Sequence, residues 1–338
     1  MAIERILLGH GSGGLLSHEL IRDLFLFHFH NPVLAPMADA AILEALPPGR
    51  PALTTDSYVV QPLFFPGGNI GDLAVCGTVN DLAVMGARPL YLTAGFILEE
   101  GLPYSVLERV VISMAETARR AGVLIVTGDT KVVDRGAADG LFINTAGLGV
   151  VPPHVDLGPH RLSPGDVLLV NGTLGDHGLA VMMQREGMHF GSGLQSDTAP
   201  LNGLVDALLT ALPGQVHAMR DATRGGLVTV LNEWSEVASI GIELTETAIP
   251  VREEVRAACE FLGLDPLYAA NEGKIVVAVD FTAAEAALEI LHAHPLGEQA
   301  AIIGSVTTSH PGHVVLETPY GARRIIQMLT GAQLPRIC

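Results

Sequence analysis

Cysteine is scarce in this sequence, which has only Cys76, Cys259 and Cys338 and no Cys-x-x-Cys pair. An odd number of cysteines without that spacing argues against a disulfide framework or a structural zinc site, and a reducing cytoplasm is the expected setting. Cys338 differs from the others because it is the last residue of the sequence, where we expect a mobile thiol. We expect the other two to pack among apolar side chains.

Basic residues are also few, with 19 Lys and Arg against 36 Asp and Glu and a net charge of −17. This balance argues against binding to nucleic acid or to an anionic membrane surface. No apolar run reaches 18 residues, and the first residues lack the basic and apolar pattern of a secretory signal. The 13 histidines include no His-Glu-x-x-His motif, so a transition-metal site is not predicted.

Strand-like and helix-like patterns alternate along the chain, which is typical of α/β and α+β folds. We predict a helix capped by Ser17, a strand that ends at Asp56 and a helix over residues 69–85. The segment 151–165 holds four prolines, which predicts a connection between domains at 1–152 and 153–330. Residues 331–338, GAQLPRIC, are predicted to form a flexible tail.

Five aspartates lie close to predicted strand ends or helix starts. Mg²⁺ prefers oxygen ligands and is commonly held by carboxylates together with substrate phosphates. Each aspartate alone is better explained as a turn or capping residue. As a group they predict a magnesium and triphosphate site, formed by Asp39, Asp56, Asp81, Asp129 and Asp221.

Glycine-rich segments are the second signal of phosphate binding. The run GHGSGG at 9–14 could present backbone N–H groups to a phosphate, although it is not a Walker A motif. Gly67 and Gly68 come directly before a predicted helix, where a phosphate could meet the helix N-terminus. The segment ATRGGL repeats that arrangement with Arg224 beside it.

Two further charged residues are candidates for chemistry. Lys131 follows Asp129 by two residues, so in an extended segment both side chains face the same way. Such a cation could hold a phosphate, or it could form an ordinary surface ion pair. Glu272 stands at a glycine-marked turn before a predicted buried strand, where it could serve as a general base or simply be a solvated turn residue.

These motifs together resemble a known group of enzymes over essentially the whole chain. The run TTDSYVVQPLFFPGGNIGDLAVCGTVNDLAVMGARP is similar to the ATP-binding half of the aminoimidazole ribonucleotide synthetase superfamily. That superfamily includes selenophosphate synthetases, thiamine monophosphate kinases and the HypE family of hydrogenase maturation proteins. The segments GDTKVV and ANEGK and the closing PRIC most resemble the HypE family.

The resemblance implies an activity and a set of site residues. A member of the HypE family would use ATP and Mg²⁺ to dehydrate a carbamoyl group on Cys338 to a thiocyanate, with Lys131 and Glu272 as further catalytic residues. The five aspartates would bind the metal and the nucleotide. The other nucleotide contacts would come from Gly67, Gly68, Asn80, Thr130 and Arg224.

The resemblance also implies a fold and partners. It predicts an N-terminal α/β domain that forms a barrel in a homodimer, a C-terminal α+β sandwich and a flexible tail. The carbamoyl group would come from the carbamoyltransferase HypF, and the cyanide would pass to a HypC–HypD complex. The product would supply cyanide ligands for the iron centre of [NiFe]-hydrogenases.

Two other functions remain compatible with the residues. One is ATP-dependent phosphoryl transfer to a small molecule, as in selenophosphate synthetases or thiamine phosphate kinases. Selenophosphate synthetases usually carry a reactive Cys in the glycine-rich region, and GHGSGG has none. The other is a carrier protein that presents a modified thiol without catalysis, which would not require the acidic positions.

Overall fold

The computed structural model describes residues 4–188, 193–331, 334 and 336–338. Pro335 and residues 332 and 333 of the predicted tail therefore lie outside the described residues, as do residues 1–3. The described chain contains a four-stranded sheet in its first half and a seven-stranded sheet in its second half. Mixed sheets and helices agree with the predicted α/β and α+β class.

The first half places helices on one face of its sheet. The sheet has the strand order β1-β6-β4-β5, in which only β4 and β5 run parallel. Its elements are α1 (Leu15–Leu20), α2 (Phe27–Phe29), β1 (Arg50–Tyr58), β2 (Phe64–Phe65), β3 (Gly68–Asn69), α3 (Ile70–Val84), β4 (Arg88–Glu99), α4 (Tyr104–Ala121), β5 (Leu124–Val133) and β6 (Leu141–Val151).

Helix α3 forms where the sequence predicts it because both of its ends carry strong signals. Asn69 Oδ1 accepts a hydrogen bond from Gly71 N–H at 2.8 Å, and Asp72 returns a carboxylate oxygen to Asn69 N–H at 3.0 Å. This is a capping box, which satisfies donors that a helix start leaves unpaired. Gly86, with φ of +74°, follows the last turn and lets the chain reverse into β4.

The prediction that Ser17 caps a helix is wrong. Helix α1 begins at Leu15 with Gly14 as the N-cap, and the helical path continues through a π-helical turn at Ile21–Leu26. The Ser17 hydroxyl accepts from Gly13 N–H at 3.0 Å and donates to the Gly9 carbonyl at 3.1 Å. The serine therefore holds the glycine-rich segment against the helix instead of starting the helix.

The second half has helices on both faces of its sheet, whose strand order is β13-β12-β9-β11-β7-β10-β8. The predicted strand that contains residues 274–280 is confirmed as the buried strand β10. The elements of the second half are β7 (Val167–Val170), α5 (Asp176–Glu186), α6 (Asn202–Ala211), β8 (Val216–Asp221), α7 (Gly226–Ala238), β9 (Gly241–Thr245), α8 (Glu253–Leu262), β10 (Ile275–Val279), α9 (Ala284–His292), β11 (Ala301–Thr307), β12 (Val314–Glu317) and β13 (Arg323–Ile326).

The two halves meet along α3. Asn80 is 1% exposed, and its side-chain amide donates to the carbonyls of Ala199 at 3.1 Å and Glu272 at 3.2 Å. Its Oδ1 accepts from Leu201 N–H at 2.7 Å. Three bonds from one buried side chain therefore fix the second half against α3.

Among the described residues, no helix is long and apolar enough to cross a membrane.

Candidate active site

Three of the five predicted aspartates converge where the two halves meet. Asp56 lies near the end of β1, Asp81 lies on α3 and Asp221 ends β8, which packs against α3. The pKa of Asp221 is raised to about 7, first by burial and then by the charge of Asp81, with a smaller contribution from Asp56. Burial, followed by the charge of Asp56, also raises the pKa of Asp81, against the hydrogen bond that Thr54 donates at 2.7 Å.

Glu272 lies beside this group. Its side chain is buried, and its backbone N–H donates to Asp197 Oδ1 at 3.0 Å. Burial raises the pKa of Glu272 well above its ordinary value, and the charges of Asp221 and Asp197 add to that rise. A carboxyl group in this setting has a high affinity for a proton, which suits a general base once a nearby cation offsets the negative charge.

Cys338 completes the group. Its carbonyl accepts a hydrogen bond from Val59 N–H at 3.1 Å, directly after the end of β1. The pKa of the Cys338 thiol is raised to about 12, first by burial and then by the charges of Glu272 and Asp56. These couplings mean that the thiol, the candidate base and the acidic group lie within one electrostatic environment.

Arg224 is a cation whose charge acts on part of this group. It is exposed, and its charge lowers the pKa of both Asp81 and Cys338. It precedes Gly225 and Gly226, both with positive φ, at the start of α7. The sequence prediction that placed a cation at this glycine-rich turn is consistent with this position.

Asp129 and Lys131 lie elsewhere on the sheet. Lys131 Nζ contacts Asp129 Oδ2 at 2.9 Å, and this hydrogen-bonded lysine lowers the pKa of Asp129. Thr130 N–H also donates to Asp129 Oδ1, at 2.9 Å. Pairing across β6 and β4 connects Asp56 with Gly128, the neighbour of Asp129 on β5. Three strand spacings therefore separate β1 from β5 at this level, which corresponds to about 14 Å.

The remaining predicted residues differ in their surroundings. Asp39 is exposed in a segment without helix or strand. Gly67 has φ of +90°, and a Cβ there would lie 2.8 Å from the backbone of Ser196, so close contact with the second half explains this glycine. Gly68 pairs with Phe65 just before α3. The Asn80 amide is occupied by the backbone bonds described above.

A cavity of about 220 Å³ opens beside the glycine-rich segment. Its floor is apolar, and its rim carries the charged pair of β5. Its lining includes His10, Gly11, Phe25, Phe96, Ile125, Asp129, Thr130 and Lys131. This combination could enclose a flat apolar ring beside polar groups.

Two residues of this region, Asp197 and His177, are not predicted from the sequence. Asp197 accepts from Glu272 N–H and lies 3.1 Å from Lys274 Nζ, and both of these side chains are largely buried. His177 is fully buried and contacts the carbonyl of Ile337 at 2.7 Å. The sequence signal for His177 was an Asp-His-Gly run at a helix start, whereas no pattern distinguishes Asp197 from other loop aspartates.

Two family models match the chain. The N-terminal domain of AIR synthase related proteins matches residues 37–151, and the C-terminal domain matches residues 163–317. The chain is also 54% identical over 329 residues to the carbamoyl dehydratase HypE of Azotobacter vinelandii. That alignment covers 97% of this chain and 96% of the relative.

Solved structures agree with this similarity. A crystal structure of the hydrogenase maturation protein HypE in complex with ATP has a TM-score of 0.94 and 53% sequence identity, and covers 98% of this chain and 99% of that one. A HypE–HypF complex has a TM-score of 0.81 and 50% identity, and covers 92% and 99% respectively.

Proposed function

This chain belongs to the AIR synthase related family and, within it, to the HypE carbamoyl dehydratases, and from that premise we propose that it converts a carbamoyl group on Cys338 into a thiocyanate at the expense of ATP. The product supplies cyanide ligands for the iron centre of [NiFe]-hydrogenases. The observation that carries this proposal is the position of Cys338, whose thiol shares one environment with Glu272 and Asp56.

The chemistry consists of two balanced steps. The carbamoyl oxygen of the S-carbamoyl cysteine attacks the terminal phosphate of ATP, and the amide loses one N–H proton, which gives ADP and an S–C(OPO₃)=NH group. Loss of the second N–H proton and of the C–O bond then releases phosphate and leaves S–C≡N. The oxygen removed from the carbamoyl group leaves in the phosphate, so no free water has to depart.

Glu272 is the proposed acceptor of an N–H proton. Its burial beside Asp221 and Asp197 gives it a raised pKa, and a base with a raised pKa removes a proton from a weakly acidic N–H more readily. Its backbone N–H and carbonyl are held by Asp197 and Asn80, so the turn that carries the carboxyl group is fixed in place.

The acidic group fits a hard divalent cation. The charges of Asp81 and Asp56 contribute to the raised pKa of Asp221, and the charge of Asp56 contributes to that of Asp81, a repulsion that a divalent cation would relieve. The described residues contain no ready-made cluster of three or more metal-ligating side chains, so phosphate oxygens would have to complete the coordination. We propose that these three aspartates would hold Mg²⁺ bound with ATP, which would neutralise triphosphate charge there, and that Asp39 and Asp129 are candidate ligands of a second ion.

The other predicted nucleotide contacts remain part of the proposal. We assign the adenine ring of ATP to the apolar cavity beside the glycine-rich segment, which is bordered by Thr130 and Lys131. Lys131 would act on the phosphates, as would Arg224 and the N–H groups near Gly67 and Gly68. Asn80 would act mainly by holding α3 against the segment that carries Glu272.

We further propose an assembly for this activity. The outer face of the four-stranded sheet exposes Leu53 and Ile97, which a homodimer with a closed barrel would cover. We also propose that the chain divides into two domains at residue 152. The C-terminal tail would move between a position in the site and a free position. HypF would load the carbamoyl group, and a HypC–HypD complex in the cytoplasm would receive the cyanide.

Intact mass spectrometry tests this function. After carbamoylation by HypF, addition of Mg-ATP should remove one water, about 18 Da, from the wild type and from a Cys259→Ala control. The Cys338→Ser variant should show neither the carbamoyl mass nor its loss. An unchanged mass with ATP turnover would instead favour a small-molecule kinase, and an unchanged mass without turnover would favour a carrier.

A further inference from the structure

Residues 336–338, named here the docked segment, pair with the chain that follows β1. Val59 N–H donates to the Cys338 carbonyl at 3.1 Å, and Gln61 N–H donates to the Arg336 carbonyl at 3.4 Å. Donors two residues apart on one strand that meet acceptors two residues apart on the other form an antiparallel ladder. A slip of one residue would exchange Ile337 and Cys338 between the two faces, so register decides where the thiol points.

Ile337 fixes that register from one side. Its side chain is 6% exposed and belongs to the apolar core of the first half. Its carbonyl lies 2.7 Å from His177 Nε2, while His177 Nδ1 lies 2.8 Å from Ser196 Oγ. Because a carbonyl can only accept, Nε2 carries the proton, and Nδ1 accepts from the Ser196 hydroxyl. Burial lowers the pKa of His177, in keeping with a neutral ring of this tautomer.

Two arginines fix the register from the other side. Arg336 contacts Asp139 Oδ2 at 2.5 Å and donates to the Val59 carbonyl at 3.1 Å. Arg185 donates to the carbonyls of Arg336 at 2.5 Å and Gln61 at 2.8 Å, so it joins the two paired strands. Arg336 adopts a φ of +53°, which an L side chain rarely accepts unless its surroundings enforce it.

We propose that His177, Arg185 and Asp139 are positioning residues that hold the docked segment in one register and so present the Cys338 thiol to Glu272 and Asp56. None of the three touches the thiol in these contacts; each acts through the backbone or side chain of a neighbouring residue in the ladder. The assignment rests on the proposed function, because it is the carbamoylated thiol that must meet the base.

Alkylation of Cys338 measures docking without any chemistry on a carbamoyl group. The full chain is treated with N-ethylmaleimide and followed by intact mass; Cys76 and Cys259 are buried and serve as internal reporters of unfolding. When the thiol reacts only from the undocked state, the labelling rate follows the undocked fraction. Asp139→Asn should accelerate labelling about two- to five-fold, the range expected for an exposed ion pair.

The matched control is Asp134→Asn, an exposed aspartate of the same 134–140 loop for which the described residues provide no ion pair. It should label at the wild-type rate. His177→Phe keeps an aromatic ring but leaves the Ile337 carbonyl unpaired, and should accelerate labelling about ten-fold or more. Arg336→Ala combined with Asp139→Ala should label no faster than Arg336→Ala alone, since both remove the same pair.

A second readout separates this inference from the proposed function. In the carbamoylated protein, Asp139→Asn should slow ATP-dependent loss of water in proportion to the docked fraction that it removes, a smaller factor than the rise in labelling when the docked state dominates, with the KM for ATP unchanged. Equal labelling of wild type, Asp139→Asn and Asp134→Asn would overturn the positioning role. Protection of Cys338 in a wild type that never loses water would overturn the proposed function and leave the docking intact.

Discussion

Replacing Asp221 with Asn should stabilise the metal-free protein at neutral and alkaline pH. The pKa of this buried carboxyl rises from 3.8 to about 7, mainly through burial and the charge of Asp81. Each pH unit of such a difference is worth about 1.4 kcal/mol, so ionising Asp221 in the folded state costs about 4 kcal/mol. Asparagine has the same shape and no charge, and therefore removes that cost.

The free energy of unfolding should fall as pH rises, because folding raises the pKa of Asp221. A carboxyl whose pKa is raised by folding stabilises the fold below pH 4, and this contribution is lost as pH rises towards 7. Between pH 5 and pH 8 the wild type should lose about 2 to 3 kcal/mol more stability than Asp221→Asn. Urea unfolding followed by the fluorescence of Trp234, the single tryptophan and buried in the same half, measures this difference.

Asp206→Asn provides the matched control, because Asp206 is exposed on α6 in the same half. It should follow the wild-type pH profile. Mg-ATP should stabilise the wild type and leave Asp221→Asn nearly unchanged, since a ligand that binds only the folded state adds to its stability. If Asp221→Asn loses stability with pH as steeply as the wild type, the buried charge of Asp221 is not the cause and the reasoning fails.

Three further changes probe other parts of the site. Glu272→Gln should slow ATP-dependent loss of water at least about 100-fold without weakening Mg-ATP binding measured by calorimetry; an undiminished rate would remove Glu272 from the base role. Lys131→Ala should raise the KM for ATP and change the unfolding free energy by less than about 1 kcal/mol, because its ion pair is exposed. Asn80→Ala should lower the unfolding free energy by about 2 to 3 kcal/mol through three lost bonds. Asn202→Ala, which loses one bond to Ala121, should cost about 1 kcal/mol, and equal losses would contradict this account of Asn80.

Much of the fold follows from local signals in the sequence. The amphipathic pattern of residues 104–121 predicts helix α4 with the bounds that the structure has, because the pattern ends at Gly122, which has φ of +70°. The strands β8, β9 and β13 are not predicted, since they are short and carry polar residues such as His217 and Arg220. Their pairing with distant strands provides the stability that their own residues do not signal.

The residues of the candidate site also include some that local sequence signals and some that it does not. Asp56, Asp81 and Asp221 could be selected from sequence because an aspartate at a strand or helix end has a recognisable context. Asp197, by contrast, lies in a loop without such a context, and only its contacts with Glu272 and Lys274 reveal it. Sequence also does not separate Asp129 from Asp56, although the sheet places two strands, β6 and β4, between the strands that carry them.

The sequence by itself determined the residue types of the chemistry: carboxylates for a metal and nucleotide, a glutamate at the turn before a buried strand, and the thiol of Cys338. These residue types can be recognised from composition and from the spacing of residues that are neighbours along the chain. Only the tertiary structure decided which of them meet. Asp56, Glu272 and Cys338 are separated by more than 60 residues at each step, and they come together because β1, the turn before β10 and the docked segment share one junction. Burial at that junction, which no local pattern encodes, is what raises the pKa values on which the proposed chemistry depends.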